Sequence, residues 1–214
     1  MSQRGGRYGL VLCEGTDDCA VFGKIANAAG AEDLVFKDLG GKNKLTARLQ
    51  QVRSSPDFTR GAIGRLLITR DADEPWEAAW QSLREATKMV FDVEVIEPST
   101  WAMLDNDCEL ALWIAPGGRK EGMIETLCLK ALNEGTSNRF ACLDQFAGCL
   151  HEQEGGTLHE KEKFAIWSLI AQEKEQPRQR LSLSRAIKNI PIDWKHPVFD
   201  ELSGLLQQAN RKSP

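Results

Sequence analysis

The chain has 214 residues, 42% hydrophobic and 27% charged, with a formal net charge of −4 and a pI near 5.5. That length buries a sizeable core, as one domain with an appendage or as two small domains. The acidic balance excludes holding nucleic acid by overall charge alone, so such a role needs local basic patches or metal ions.

No run approaches the roughly 18 apolar residues of a membrane span. The opening "MSQRGGRYGLVLCEG" enters a strand too quickly to hold a signal peptide, so no membrane is expected and the expected location is the cytoplasm. The cysteines at 13, 19, 108, 128, 142 and 149 show no two-residue separation and sit mostly among apolar neighbours. Reduced, buried thiols fit that pattern better than a zinc ribbon.

In chain order, "YGLVLCEG" (Tyr8 to Gly15) reads as a buried strand. "TDDCAVFGKIANAAG" then places Cys19, Val21, Phe22, Ile25 and Ala26 at helical spacing, with Thr16 as N-cap and Gly30 as stop. "DLVFKDLGG" gives a second short strand and a glycine pair, and "NKLTARLQQVRSS" a polar helix closed by Pro56. "IGRLLITRD" is the most apolar strand. "EPWEAAWQSLREATKM" is a helix with proline near its first turn and an inner stripe of Trp76, Trp80 and Leu83. "VFDVEVIEP" (Val90 to Pro98) and "ELALWIAPGG" (Glu109 to Gly118) are further strand candidates, and "EGMIETLCLKALNEG" is an amphipathic helix. Strands alternating with helices predict an α/β fold, a mostly parallel Rossmannoid sheet with helices on both faces, over residues 1–137. Strand signals vanish from about Asn138, so residues 138–214 are expected to form a helical extension packed on the same core, with a disordered tail.

Ligands of an open parallel sheet bind outside the carboxyl ends of its strands. Glu14 closes the first strand, and "RDADEPW" puts Asp71 and Asp73 at the end of the third. Alternation in an extended segment points Asp71 and Asp73 the same way, so the two carboxylates could share one hard cation. The alternative is that Asp73 or Glu74, ahead of Pro75, caps the next helix.

Together "LVLCEGTDD" and "LLITRDADE", in that order and separated by one strand-helix unit, resemble the Toprim domain. That domain occurs in type IA and type II topoisomerases, DnaG-type primases, overcoming-lysogenization-defect (OLD) nucleases and small RNA-maturation nucleases. With "WIAPGGRKEGMIETL" and "IPIDWKHPVFDELSGLL" added, the chain is similar over nearly its full length to a family of small bacterial Toprim-like proteins of undetermined activity. The resemblance implies that Glu14 is the Toprim glutamate, that Asp71 and Asp73 are the aspartate pair, and that Asp18 is the second acid of the nuclease-type first motif. Two departures count against a topoisomerase or primase. Pro75 and Trp76 follow the acids where those enzymes carry a glycine and further acids, and the only tyrosine, Tyr8, lies at the start of the first strand.

The reaction so implied is Mg²⁺- or Mn²⁺-assisted hydrolysis of nucleic-acid phosphodiesters. Asp71 and Asp73 would ligate metal, with Glu14 completing a second site or acting as general base, supported by Asp18. Glu125 is a further metal candidate, against an exposed helix face. "DLGGKNK" and "PGGRKEG" offer Gly40, Gly41, Lys42 and Lys44, and Arg119 and Lys120, for phosphate or nucleic acid, against solvated loops. The basic stretch from Arg178 to Lys188 reads as a surface helix, the three histidines as structural or exposed, and the tryptophans mostly as core. A competing reading is a non-catalytic effector or binding module acting beside an ATPase partner. A flavodoxin-like or receiver domain, which also places acids at strand ends, ranks last.

Overall fold

The computed structural model describes residues 7–72, 75–132, 141–142, 145–146, 148–149, 183–187 and 191–211. Five strands form one sheet: β1 (Tyr8–Cys13), β2 (Leu34–Asp38), β3 (Ile63–Asp71), β4 (Trp101–Met103) and β5 (Glu109–Ala115), in the order β2-β1-β3-β5-β4. All neighbours are parallel except the short edge strand β4. The helices are α1 (Thr16–Ala28), α2 (Leu45–Arg53), α3 (Pro56–Thr59), α4 (Trp76–Phe91), α5 (Ile124–Leu132), α6 (Leu183–Ala186) and α7 (Asp200–Asn210), with 3₁₀ turns at Lys42–Lys44 and Pro197–Phe199.

Strand alternation divides the core in two. Val11, Cys13, Leu67, Ala111 and Trp113 face α1, α5 and α7, whereas Leu10, Leu12, Leu66, Ile68 and Leu112 face α2 and α4. Strands buried on both faces read as continuous apolar runs, which is why β1, β3 and β5 stand out in the sequence. The described stretch of the helical C-terminal part shares this core: Leu202, Leu205, Leu206 and Ala209 of α7 pack with β1 and α1. Trp101 Nε1 donates to Gln208 Oε1 at 2.6 Å, and Trp113 Nε1 to Glu201 Oε1 at 3.2 Å, tying α7 to the sheet.

Gly9 marks the closest approach of β1 to α7. A Cβ there would stand 2.2 Å from the Ala209 carbonyl oxygen and 2.6 Å from Leu34 Cδ2. Gly9→Ala should therefore cost about 1–3 kcal/mol through forced displacement of α7. Urea unfolding should show a lower midpoint at unchanged slope, and an unchanged midpoint would contradict this seating of the helix.

Several local expectations need correction. Val90 to Pro98 is not a strand, because Val90 and Phe91 complete the buried stripe of α4 and Asp92 ends that helix at φ 55°. The antiparallel edge comes instead from Trp101–Met103, too short to show a period. Thr16 is the first residue of α1 and Gly15 its cap, with the Asp18 carboxylate accepting from Gly15 N at 2.7 Å. Pro56 does more than close α2, since it opens α3, with Ser55 as the cap. Cys142 and Cys149 are exposed rather than buried, because their helical residues join neither core. Trp76, Trp80 and Trp113 are core residues as expected, and His196 caps the Pro197–Phe199 turn through Nδ1. Trp167, His151, His159 and most of the 178–188 stretch lie outside the described residues. No helix among those residues is long and apolar enough to cross a membrane.

Candidate active site

The chain leaves β1 for β2 with α1 on one face of the sheet, then returns to β3, on the other side of β1, with α2 on the opposite face. Between β1 and β3 the connections therefore diverge, opening the crevice where doubly wound sheets place their ligands. Glu14 follows β1 and Asp71 ends β3 at that crevice. Asp71 N donates to Glu14 Oε2 at 3.3 Å, so the glutamate reaches across the gap onto the neighbouring strand.

Asp71 points to the other face, where its Oδ1 accepts from Ile124 N at 3.1 Å, at the first residue of α5. A sequence reading that weighs capping looks to α4, the next helix, for this role; the helix that an acid of this cluster meets is α5. Glu125 sits in the same first turn and is buried, not on an exposed face. Asp18 comes from the first turn of α1 and is half-buried. The positive ends of α1 and α5 thus lie beside the acids.

Glu14, Asp18, Asp71 and Glu125 lie near enough to act on one another's ionisation. Burial raises the Asp18 carboxyl to about 7, with further upward pressure from Glu125, Glu14 and Asp17, against the lowering bond from Gly15 N. Burial, then the charges of Asp18, Glu125 and Glu14, push the Asp71 carboxyl well above its ordinary range. The Cys128 thiol is likewise pushed up by burial and then by the charges of Glu125, Asp18 and Asp71. Like charges gathered in a partly dry crevice disfavour their own ionised forms.

Two contributors have little sequence signal. Arg70 is buried, with Nε 3.9 Å from Glu14 Oε2, yet in the sequence it is simply one more residue of a strand. Asp17 accepts from Leu183 N at 3.1 Å and Ser184 N at 3.0 Å, capping α6 from far along the chain.

The two glycine-rich loops reach the same end of the sheet. Gly41 N donates to the Glu14 carbonyl at 3.0 Å, and Gly40 and Gly41 both hold the left-handed backbone that glycine permits, at φ 77° and 93°. Lys42 and Lys44 follow, exposed, in the 3₁₀ turn. Ala72 and Gly122 exchange two backbone hydrogen bonds of 2.9 Å, bringing the second loop against the end of β3. Its Arg119 guanidinium binds the Glu97 carboxylate and lies 5.7 Å from the Trp76 ring centre, and Arg119 and Lys120 are both exposed. Asp73 and Glu74 lie outside the described residues.

The carboxylates offer only oxygen donors, which suits a hard divalent cation. Among the described residues, no three Asp, Glu, His or Cys side chains already form a cation-holding group. The fit therefore lies in the donor chemistry and the crowding of charge.

Residues 8–210 match the family described as "Protein of unknown function (DUF3226)". The chain belongs to that family. Among solved structures, this member is similar to the C-terminal region of the OLD protein of Xanthomonas campestris pv. campestris, at 13% identity and a TM-score of 0.50. The likeness covers 95% of this chain and 96% of that one, so the shared fold takes in the C-terminal helices as well as the sheet. No curated protein matches.

Proposed function

We propose that this DUF3226 member is a Toprim-type, divalent-metal-dependent phosphodiesterase acting on nucleic acid. The observation that carries this reading is the placement of Glu14 and Asp71 at the β1–β3 crevice, where Asp71 N donates to Glu14 Oε2 and where burial, then the charges of Asp18, Glu125 and Glu14, hold the Asp71 carboxyl up. Similarity of fold to the C-terminal region of an OLD protein adds support. Glu14, Asp71 and Asp73 are the proposed ligands of Mg²⁺ or Mn²⁺, with Glu125 as a further donor. Such an ion would polarise a phosphoryl oxygen and lower the pKa of the attacking water.

The chain's own groups have distinct tasks in this proposal. Glu14 either completes a second metal site or takes the proton of the attacking water, supported by Asp18, whose carboxyl titrates near neutrality. Arg70 holds Glu14 in place across the crevice. The backbone at Gly40 and Gly41 and the exposed Lys42, Lys44 and Lys120 receive phosphate oxygens, and Arg119 joins them on release from Glu97.

One observation favours a second reading. Asp71 already caps α5 through Ile124 N, as it would if the acids were structural and the chain were a non-catalytic effector beside an ATPase partner. Cleavage of labelled single- and double-stranded DNA and RNA in Mg²⁺ or Mn²⁺ separates the two. The phosphodiesterase reading expects cleavage by the wild type and its loss in the Asp71→Ala, Asp73→Ala double variant. No cleavage of any substrate, together with no metal binding by calorimetry, would sink it.

A further inference from the structure

A groove of about 340 Å³ runs along the face of β1 and β2 beneath α2 and α3. That is the size of sites that enclose a small ligand or a short stretch of a longer one. Its floor is apolar, with Leu39, Val52 and Pro56 among the lining residues, and Lys37, Arg48 and Arg60 stand exposed on its rim. Tyr8, the only tyrosine of the chain, lines the end away from the acids, its hydroxyl donating to Asp57 Oδ2 at 2.9 Å. The other end meets the acidic crevice directly: Leu39 N donates to the Cys13 carbonyl at 2.7 Å, and Gly41 N to that of Glu14.

The charge of this unit runs against that of the molecule. From Leu34 to Ala62 the chain carries six basic and two acidic residues, a net +4, while the remainder carries −8. Of the six, Arg53 is turned away to the Val90 carbonyl. The other five are Lys37, Arg48 and Arg60 on the rim, and Lys42 and Lys44 where the groove meets the crevice. Of the two acids, Asp57 is engaged by Tyr8 and lies 4.0 Å from Arg60, and Asp38 lines the groove beside its lysines.

We propose that this groove is the track for one unpaired nucleic-acid strand, leading from Tyr8 past Lys37, Arg48 and Arg60 to the carboxylates at Glu14. An apolar floor with an aromatic side chain and a cationic rim suits a strand that offers base faces and phosphates together. In a duplex the base faces are stacked on one another, and the floor of the groove would have nothing to bind. This rests on the phosphodiesterase reading for the reaction, and it narrows the substrate to single strands or unpaired ends.

Binding measured without added metal separates this inference from the catalytic one. Fluorescently labelled single-stranded DNA, single-stranded RNA and duplex DNA are titrated by anisotropy over a range of salt, with wild type and a Lys37→Gln, Arg48→Gln, Arg60→Gln triple variant. These positions are exposed, and thermal unfolding of the variant checks that the fold is kept. The expected result is tighter binding of a single strand than of duplex, weakened about tenfold or more in the triple variant. The slope of log affinity against log salt should be shallower by about 0.7 for each phosphate that is no longer neutralised. A milder variant, Tyr8→Leu, should weaken single-strand binding and leave the salt slope unchanged. Duplex binding as tight as single-strand binding, or an unaltered slope in the triple variant, would overturn the proposal even if wild type cleaves nucleic acid. Groove-dependent binding without cleavage would uphold it and remove the enzyme.

Discussion

Asp71→Asn should yield a protein that is more stable than wild type and inactive. Burial, then the charges of Asp18, Glu125 and Glu14, disfavour the ionised form of the Asp71 carboxyl in the folded state, so its ionisation works against the fold. Asparagine removes that charge and keeps an oxygen to accept from Ile124 N, which preserves the cap on α5. A gain of about 1–2 kcal/mol is the usual scale when a functional site is relieved of strain, visible as a higher urea midpoint. Activity should fall by about 10³-fold, since an ion that has lost a carboxylate forfeits several kcal/mol of charge stabilisation at about 1.4 kcal/mol per tenfold. The opposite pairing, lower stability with unchanged cleavage, would make Asp71 a helix cap and nothing more.

What could be read in advance follows from where the physics is local. β1, β3 and β5 were legible because a strand covered on both faces must be apolar throughout, and Leu66 to Ile68 has no other use. Val90 to Pro98 misled because its alternation is genuine while Val90 and Phe91 already belong to the buried stripe of a helix begun at Trp76. Packing of that helix on the sheet outweighed the local pattern. The positions of Glu14 and Asp71 were legible for a topological reason, because a parallel sheet concentrates its ligand site at strand ends. The burial of Glu125 was not, since it depends on how α5 meets β3 through Ile124. Nor was the Asp17 cap on α6, whose two ends lie 166 residues apart.

The same crowding of acids fixes how stability should vary with pH and with metal. For Asp18 the folded carboxyl titrates near 7, above its ordinary value of 3.8. Below about pH 4 both folded and unfolded states are protonated, and the group contributes nothing. Between about 4 and 7 the unfolded chain releases its proton while the folded one retains it, so stability falls as pH rises, and the loss is complete above 7. At 1.36 kcal/mol per unit, Asp18 costs on the order of a few kcal/mol at pH 8, and Asp71 shifts in the same direction. A cation held by these carboxylates reverses this only where they are ionised. Mg²⁺ at a hundredfold excess over its dissociation constant should therefore restore about 2.7 kcal/mol at pH 8 and little at pH 5. Thermal unfolding at both pH values, with and without Mg²⁺, reads this directly, and Asp18→Asn should flatten the metal-free decline. A midpoint that Mg²⁺ leaves unmoved at pH 8, or raises equally at pH 5, would mean that the acids at the β1–β3 crevice do not serve a cation.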